Sequence, residues 1–254
     1  MCFDVKSRLI AQLKRAKHRG DTELIGDLNE KIKEWELVDY YHISGFSHPR
    51  LLIYTDTDPY MPLPATWGLV PFWVKSEDQK NRIWNSTLNA RGETIFEKPA
   101  FRSSAESKRC LIYVDGFYEH HHFNGKTYPF YIQRYDGEPF AIAGLWSSWR
   151  DTGGILLNTF TIVTTVGNSM MSEIHNNPKM QGPRMPVILG EEKTGLWLQP
   201  IKTPLDKRMI ENLLQPLPDK ELKAHTVRQL RGKYASGNSP QASEEYFYPD
   251  LEMR

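Results

Sequence analysis

Apolar residues recur along this chain at two different periods, and the change of period divides it. Near the start, Leu9, Leu13 and Ala16 are spaced for one helix face. After a break at Gly20-Asp21, the series Leu24, Leu28, Ile32 and Trp35 repeats at intervals of four, four and three. This spacing predicts amphipathic helices between about residues 8 and 38, packed on the remainder by their apolar faces. A strand is predicted over Leu51 to Tyr54. A proline-rich loop with Pro59, Pro62 and Pro64 then leads into Trp67-Gly68-Leu69-Val70-Pro71-Phe72-Trp73. From residue 110 the short β-branched or aromatic runs Cys110 to Val114, Tyr128 to Tyr135, Pro139 to Leu145, Phe160 to Thr165 and Pro186 to Leu189 predict strands. Asn124-Gly125 and Asp136-Gly137 supply turns between several of them. Asn168 to His175 reads as a short helix between two strands. Ser236 to Ser243 is polar and turn-rich, and Tyr246, Phe247 and Tyr248 offer an anchor for the tail.

Together these elements predict an α+β fold: a single compact domain whose irregular, barrel-like, mainly antiparallel sheet is flanked by helices. The domain is expected over residues 1–235, with a helical insertion at about 8–38 and a tail over 236–254 that packs on it. The 254 residues allow one substantial core. An apolar fraction of 39% and a charged fraction of 25% are those of a soluble globular chain. No apolar run is long enough to span a membrane, and the start of the chain lacks a signal-peptide stretch, so a cytoplasmic protein is expected. Two cysteines make neither a disulfide framework nor a four-cysteine zinc site. A net charge of +1 does not advertise nucleic acid, although a sum conceals any local basic groove. There is no GxGxxG or Walker pattern to cradle phosphates.

Candidate chemistry begins at Cys2. Removal of Met1 would leave a first residue with an α-amine and a thiol on neighbouring carbons. Such a 1,2-aminothiol can attack an aldehyde and close a thiazolidine ring. Its amine has a pKa near ~8, so a neutral fraction exists at physiological pH. Polar groups also sit within or beside apolar runs, where burial is costly without a purpose. These are Asn89-Ala90-Arg91-Gly92-Glu93, Asp115-Gly116-Phe117-Tyr118-Glu119, and Glu173-Ile174-His175 with Arg184 to Leu189 beyond. An amine or thiol nucleophile, an amide, a carboxylic acid and an imidazole suit carbonyl chemistry. Three consecutive histidines, His120 to His122, do not suggest a metal site, because neighbours in a strand point to opposite faces.

The ordered motifs resemble the SRAP (SOS response-associated peptidase) family, the abasic-site processing proteins. They are Met1-Cys2, Trp67 to Trp73, Asn89-Ala90-Arg91-Gly92-Glu93-Thr94, Glu97-Lys98-Pro99-Ala100-Phe101-Arg102, Arg109-Cys110-Leu111-Ile112, Asp115 to Glu119, Ala143-Gly144-Leu145-Trp146, Thr161 to Thr165, Ile174-His175 and Arg184 to Leu189. The resemblance covers residues 1 to about 190. It departs at Phe3-Asp4, where the family commonly has Gly-Arg; at His120, where Trp is common; and in the extra length of Asn176 to Pro183.

What the resemblance implies is a sensor and shield of abasic sites in single-stranded DNA, crosslinked to the lesion through Cys2 as a thiazolidine. Weak abasic lyase and autoprocessing peptidase activities would accompany it. Cys2, Asn89, Glu119 and His175 would form the catalytic set. Cys2 would be the nucleophile, Glu119 the proton shuttle and Asn89 the group holding the amine or sugar oxygen. His175 would meet the adjacent phosphate or the released hydroxyl. Arg91, Lys98, Arg102, Arg109 and Arg184 would bind DNA, with Trp73 and Trp67 offering stacking surfaces. No cofactor or metal is implied. A monomer gathered on the nucleoid after damage is expected. Two other classes fit parts of the pattern: an N-terminal-cysteine hydrolase acting on an acyl group, and a single-stranded-DNA binding module without catalysis.

Overall fold

The computed structural model describes residues 2–18 and 22–252. The early helical region contains helices at Leu9–Gln12, Lys14–His18 and Thr22–Glu34. Leu13, Ala16, Leu28 and Ile32 are buried, as their spacing predicts. The break read at Gly20-Asp21 and the side chain of Leu24 lie outside the described residues.

The strands in chain order are β1 (Asp4–Ser7), β2 (Tyr40–Ser44), β3 (Arg50–Thr55), β4 (Leu63–Trp67), β5 (Asn89–Arg91), β6 (Arg109–Val114) and β7 (Gly116–Phe123). They continue with β8 (Lys126–Arg134), β9 (Phe140–Arg150), β10 (Leu156–Val166), β11 (Arg184–Pro186), β12 (Ile188–Leu189) and β13 (Leu222–Thr226). Strands β3, β4, β10, β9 and β6 pair in a closed ring, since β10 bonds both β4 and β9 and β6 bonds both β3 and β9. Only the β4–β10 seam of this ring is parallel. A second, antiparallel sheet runs β13-β8-β7-β1-β2. The α+β class with a barrel-like sheet is thus the observed architecture.

Alternation along the ring strands divides the core in two. Leu52, Tyr54, Leu111, Tyr113, Ala141 and Ala143 meet helical residues such as Leu28, Ile32 and Trp197. Leu51, Ile53, Cys110, Ile112, Phe160 and Ile162 meet Val5, Phe117 and Ile132 of the second sheet. Short loops follow from turn chemistry. Asn124 and Gly125 both have positive φ, at 48° and 72°, and close the β7–β8 hairpin where Phe123 faces Lys126.

One segment departs from the sequence reading. The proline-rich stretch read as a loop contains β4, with Pro64 inside it. Pro64 faces Leu52 across the β3–β4 ladder, yet the Leu52 N–H turns away and donates to the Gln12 side chain at 2.8 Å. The β4–β10 pairing involves Thr66 and Trp67, beyond the proline. Pro64 therefore sits where no ladder bond needs its missing N–H. Among the described residues no helix is long and apolar enough to cross a membrane.

Gly116 opens β7 at a point of very close approach. A Cβ there would lie 2.5 Å from the Ile132 carbonyl oxygen and 2.6 Å from the Tyr131 ring. Because backbone cannot yield as a side-chain tip does, Gly116→Ala is expected to cost about 1–3 kcal/mol. The thermal midpoint should fall by roughly 3–10 °C. A melting curve unchanged by the substitution would show that β7 and β8 can separate freely here.

Candidate active site

The N-terminal strand sets the site. β1 lies between β7 and β2, with Asp4 opposite Tyr118 and Val5 opposite Phe117. This antiparallel register carries the residues before Asp4 alongside those after Tyr118, toward Glu119. Cys2 is fully buried in the same apolar cluster as Leu88, Phe117 and Ile174. Leu88 precedes Asn89 in the chain, Ile174 precedes His175, and Phe117 shares a face of β7 with Glu119 by strand alternation. The four residues selected as a catalytic set thus emerge at the border of one core cluster, from four separate elements.

His175 caps the helix Ser169–Ile174, whose start is fixed by Asn168 accepting from the Met171 N–H at 2.9 Å. The helix is pinned to β7 by the Glu173 carbonyl, 2.9 Å from Nδ1 of His121. His175 places Nδ1 3.8 Å from Oε1 of Glu119 and 3.1 Å from the Arg184 carbonyl oxygen. Glu119 and His175 are each only 6% exposed. Both border a pocket of about 310 Å³ whose wall also includes Phe3, Asn177, Met180 and Arg231. Asn89 is brought in by β5, which pairs in parallel with β10 at Ile162. Its side chain is 8% exposed, and neither Nδ2 nor Oδ1 has a hydrogen-bond partner among the described residues. A buried amide left in this state costs stability, so it marks a position where a polar ligand would be bound.

Burial governs the protonation of all three titratable members. It raises the Glu119 pKa to about 7, with the charge of Asp4 adding to the effect. It lowers His175 to about 4. At neutral pH the 3.8 Å contact is therefore between a neutral imidazole and a carboxyl that retains much of its proton, and is not an ion pair. Burial also pushes the Cys2 thiol well up, and the nearby Glu119 carboxylate raises it further. Such a thiol is held protonated and is a poor thiolate nucleophile on its own.

The DNA-contact set read from the sequence divides. Arg91, Lys98 and Arg102 are exposed. Trp73 and Arg102 share a cleft of about 750 Å³ with Phe72, Phe96 and Pro99, and Phe72 is 61% exposed on it. Phe96 also borders the next cleft, beside Glu93. Trp67 and Arg109 are corrected: both are core residues with no exposed surface. Trp67 donates from Nε1 to the Leu88 carbonyl at 2.8 Å and stacks near Phe160. Arg109 gives its guanidinium to the carbonyls of Trp197, Ala105, Glu106 and Gln199. Arg184 is also corrected from surface contact to buried strut. Its fork holds Glu93 at 2.7 and 2.9 Å and reaches the Thr164 carbonyl at 2.8 Å, while its own carbonyl meets His175.

Two features of the site were not visible as motifs. Asp4, buried two residues beyond Cys2, is 3.0 Å from Nε2 of His42 and is bonded by Nη2 of Arg231 at 3.1 and 3.0 Å. The partners lie 38 and 227 positions away, beyond any spacing rule. The loop over Asn176 to Pro183 is tied to β7 by Asn176, whose side chain accepts from His122 N–H at 2.7 Å and donates to its carbonyl at 3.0 Å. Asn177 and Met180 of that loop wall the pocket. Among the described residues no cluster of three or more His, Cys, Asp and Glu is arranged to hold a metal.

The Glu119 shift has a thermodynamic consequence whose sign is fixed. The folded state holds this proton more tightly than the unfolded chain, so stability falls as pH rises from about 4.5 toward about 7 and stays lost above. At about 1.4 kcal/mol per unit, the full penalty is on the order of 3 kcal/mol. Glu119→Gln should therefore melt at a higher temperature than the wild type at pH 8, and the gap should narrow at pH 5. A gap independent of pH would place the carboxyl in contact with water.

Comparisons with known proteins bear on the family and the fold. Residues 8–233 match the family model described as SOS response associated peptidase (SRAP). The chain is similar to the abasic site processing protein YoqW of Bacillus subtilis (strain 168), at 39% identity over 181 residues, 71% of this chain and 75% of that protein. It is similar to YobE of the same organism, likewise named an abasic site processing protein, at 38% identity over 237 residues, 89% of this chain and 99% of that protein. A crystal structure of a protein from Bacteroides thetaiotaomicron superposes with a TM-score of 0.82 at 33% identity, covering 97% of this chain and 100% of the other. With the family model spanning most of its length, the chain belongs to the SRAP family.

Proposed function

We propose that this protein recognises abasic sites in single-stranded DNA and captures them covalently through Cys2. The observation that carries the reading is Glu119: a buried carboxyl that keeps a proton near neutral pH, close enough to Cys2 to raise its thiol further. The names of YoqW and YobE support the substrate class.

In this reading Met1 is removed and the Cys2 amine attacks C1′ of the ring-opened deoxyribose. The aldehyde oxygen takes up a proton to give a carbinolamine. Glu119 then protonates the departing hydroxyl, water leaves, and an imine remains. The Cys2 thiol adds to the imine carbon, its proton passes to the nitrogen, and the thiazolidine closes. No atom is lost from the sum apart from one water. A raised thiol pKa suits this order, because the amine acts first and the thiol is needed only at the imine. It also disfavours the hydrolase alternative, in which the thiolate would open the reaction. Asn89, with both amide atoms unpartnered, is assigned to hold the sugar oxygen or the amine. His175, neutral at working pH, accepts a hydrogen bond from the sugar hydroxyl, and its imidazole serves a slow β-elimination side reaction by taking the C2′ proton as the C3′–O bond breaks and the phosphate leaves. The exposed Phe72 with Trp73 and Arg102 offers a stacking and phosphate surface that suits unpaired bases.

The test is incubation of purified protein with a single-stranded oligonucleotide carrying one abasic site, followed by denaturing gel and intact mass. A heat-stable adduct should form without borohydride and contain Cys2 lacking Met1. Cys2→Ala should abolish it while sparing DNA binding. Glu119→Gln should slow adduct formation by about 10²-fold or more. If the protein has shed Met1 and binds the strand but gives no adduct, covalent capture is refuted.

A further inference from the structure

Arg231 is a cation of the pocket bordered by Glu119 and His175, and none of the motifs above includes it. It follows β13 in a segment anchored by Leu230, which is buried with Tyr118, Tyr131 and Val227. A second anchor is Gln229, donating to the Thr127 carbonyl at 3.0 Å. This anchoring places Arg231 on the pocket wall with Phe3, Glu119 and His175. One end of the guanidinium is held. Nη2 bonds both oxygens of Asp4 and lies 3.3 Å from Oγ of Ser44. Asp4 is itself buried in β1 and shared with His42, so the fork is fixed in direction. The other end is free: Nε and Nη1 have no hydrogen-bond partner among the described residues, and the side chain is 60% exposed.

The remaining walls offer no competing positive charge. Arg231 is the sole Lys or Arg among the described residues lining this pocket. Arg109 and Arg184, expected at the DNA surface, are buried and committed elsewhere. A strand that delivers its sugar to Glu119 and His175 must bring its phosphodiesters to the same rim. Nε and Nη1 lie on different edges of the guanidinium, so each offers a single charge-assisted donor to a phosphate oxygen.

We propose that Arg231 is a phosphodiester-binding residue of this pocket, oriented by Asp4, and that it grips the DNA backbone beside the captured sugar. This rests on the functional reading above for the identity of the ligand as a DNA strand. Asp4 thereby acts as a positioning residue, since it touches the DNA only through Arg231.

The experiment measures binding of a fluorescein-labelled single-stranded oligonucleotide containing one tetrahydrofuran residue, which lacks the aldehyde and cannot crosslink, across a series of salt concentrations. Arg231→Gln should weaken binding about 3- to 10-fold at ~0.1 M salt and reduce the slope of log K against log salt by about 0.7, one phosphate's share on a single strand. Arg231→Lys should restore the slope. With an abasic strand, the Gln variant should raise the DNA concentration for half-maximal crosslinking rate and leave the saturated rate near wild type. The double variant Asp4→Asn, Arg231→Gln, compared with Asp4→Asn alone, separates contact from charge balance and leaves no unpaired Asp4 charge to unfold the protein. A loss of affinity and slope that persists in that pair supports the contact. An unchanged slope in Arg231→Gln, or an effect that vanishes in the Asp4→Asn background, overturns it and leaves Arg231 as a counter-ion. Wild-type crosslinking is measured alongside. If no adduct forms while the slope still depends on Arg231, covalent capture fails and the phosphate contact stands.

Discussion

The pairing of β1 with β7 is the constraint on which the rest of the site depends. Four residues of strand, hydrogen-bonded on both sides, carry Cys2 into a core cluster and hold it near Glu119, whose carboxyl burial raises to a pKa of about 7. A strand slipped by one residue would reverse every side chain and send Val5 outward. Close packing of Gly116 against Ile132 and Tyr131 fixes β7 on β8 at the residue that Lys6 faces from the other side.

Burial serves the chemistry and opposes the fold at once. The same exclusion of water that raises Glu119 and lowers His175 leaves an amide at Asn89 without partners. For the Asn89 amide that desolvation is uncompensated in the free protein. A core built only for stability would have placed apolar side chains here, as it does one residue earlier at Leu88 and Ile174. The conflict between local polarity and its surroundings is concentrated where function is expected to lie. The barrel absorbs the cost because its own strands are apolar on both faces of the ring.

Charge follows a different logic from the one its linear order implies. The basic residues clustered between 98 and 109 do not act as a unit. Lys98 and Arg102 face outward, whereas Arg109 is spent capping carbonyls at helix ends. Arg184 is a strut linking Glu93, β10 and His175. The pocket draws its cation instead from the far end of the chain, through an ion pair between Arg231 and Asp4. Asp4, an acidic residue two positions from Cys2, becomes the mount for an arginine.

Periodicity and local chemistry determined most of the element types. The three- and four-residue spacings within Leu9 to Ala16 and Leu24 to Ile32, the β-branched runs from Cys110 onward and the Asn124-Gly125 turn each act over a few neighbours, so the sequence carries them directly. The candidate chemical groups were legible for the same reason: Cys2, Asn89, Glu119 and His175 are polar residues embedded in apolar runs. Tertiary structure alone decided which of them meet, because the 3.8 Å approach of Glu119 and His175 depends on a helix docking on β7 across more than 50 residues. It decided that Pro64 lies within a strand, since only the ladder shows which N–H is dispensable. It also decided which cations are available. Exposure is a property of the whole packed chain, and nothing in the local sequence separates the buried Arg109 from the outward Arg102, or joins Arg231 to Asp4.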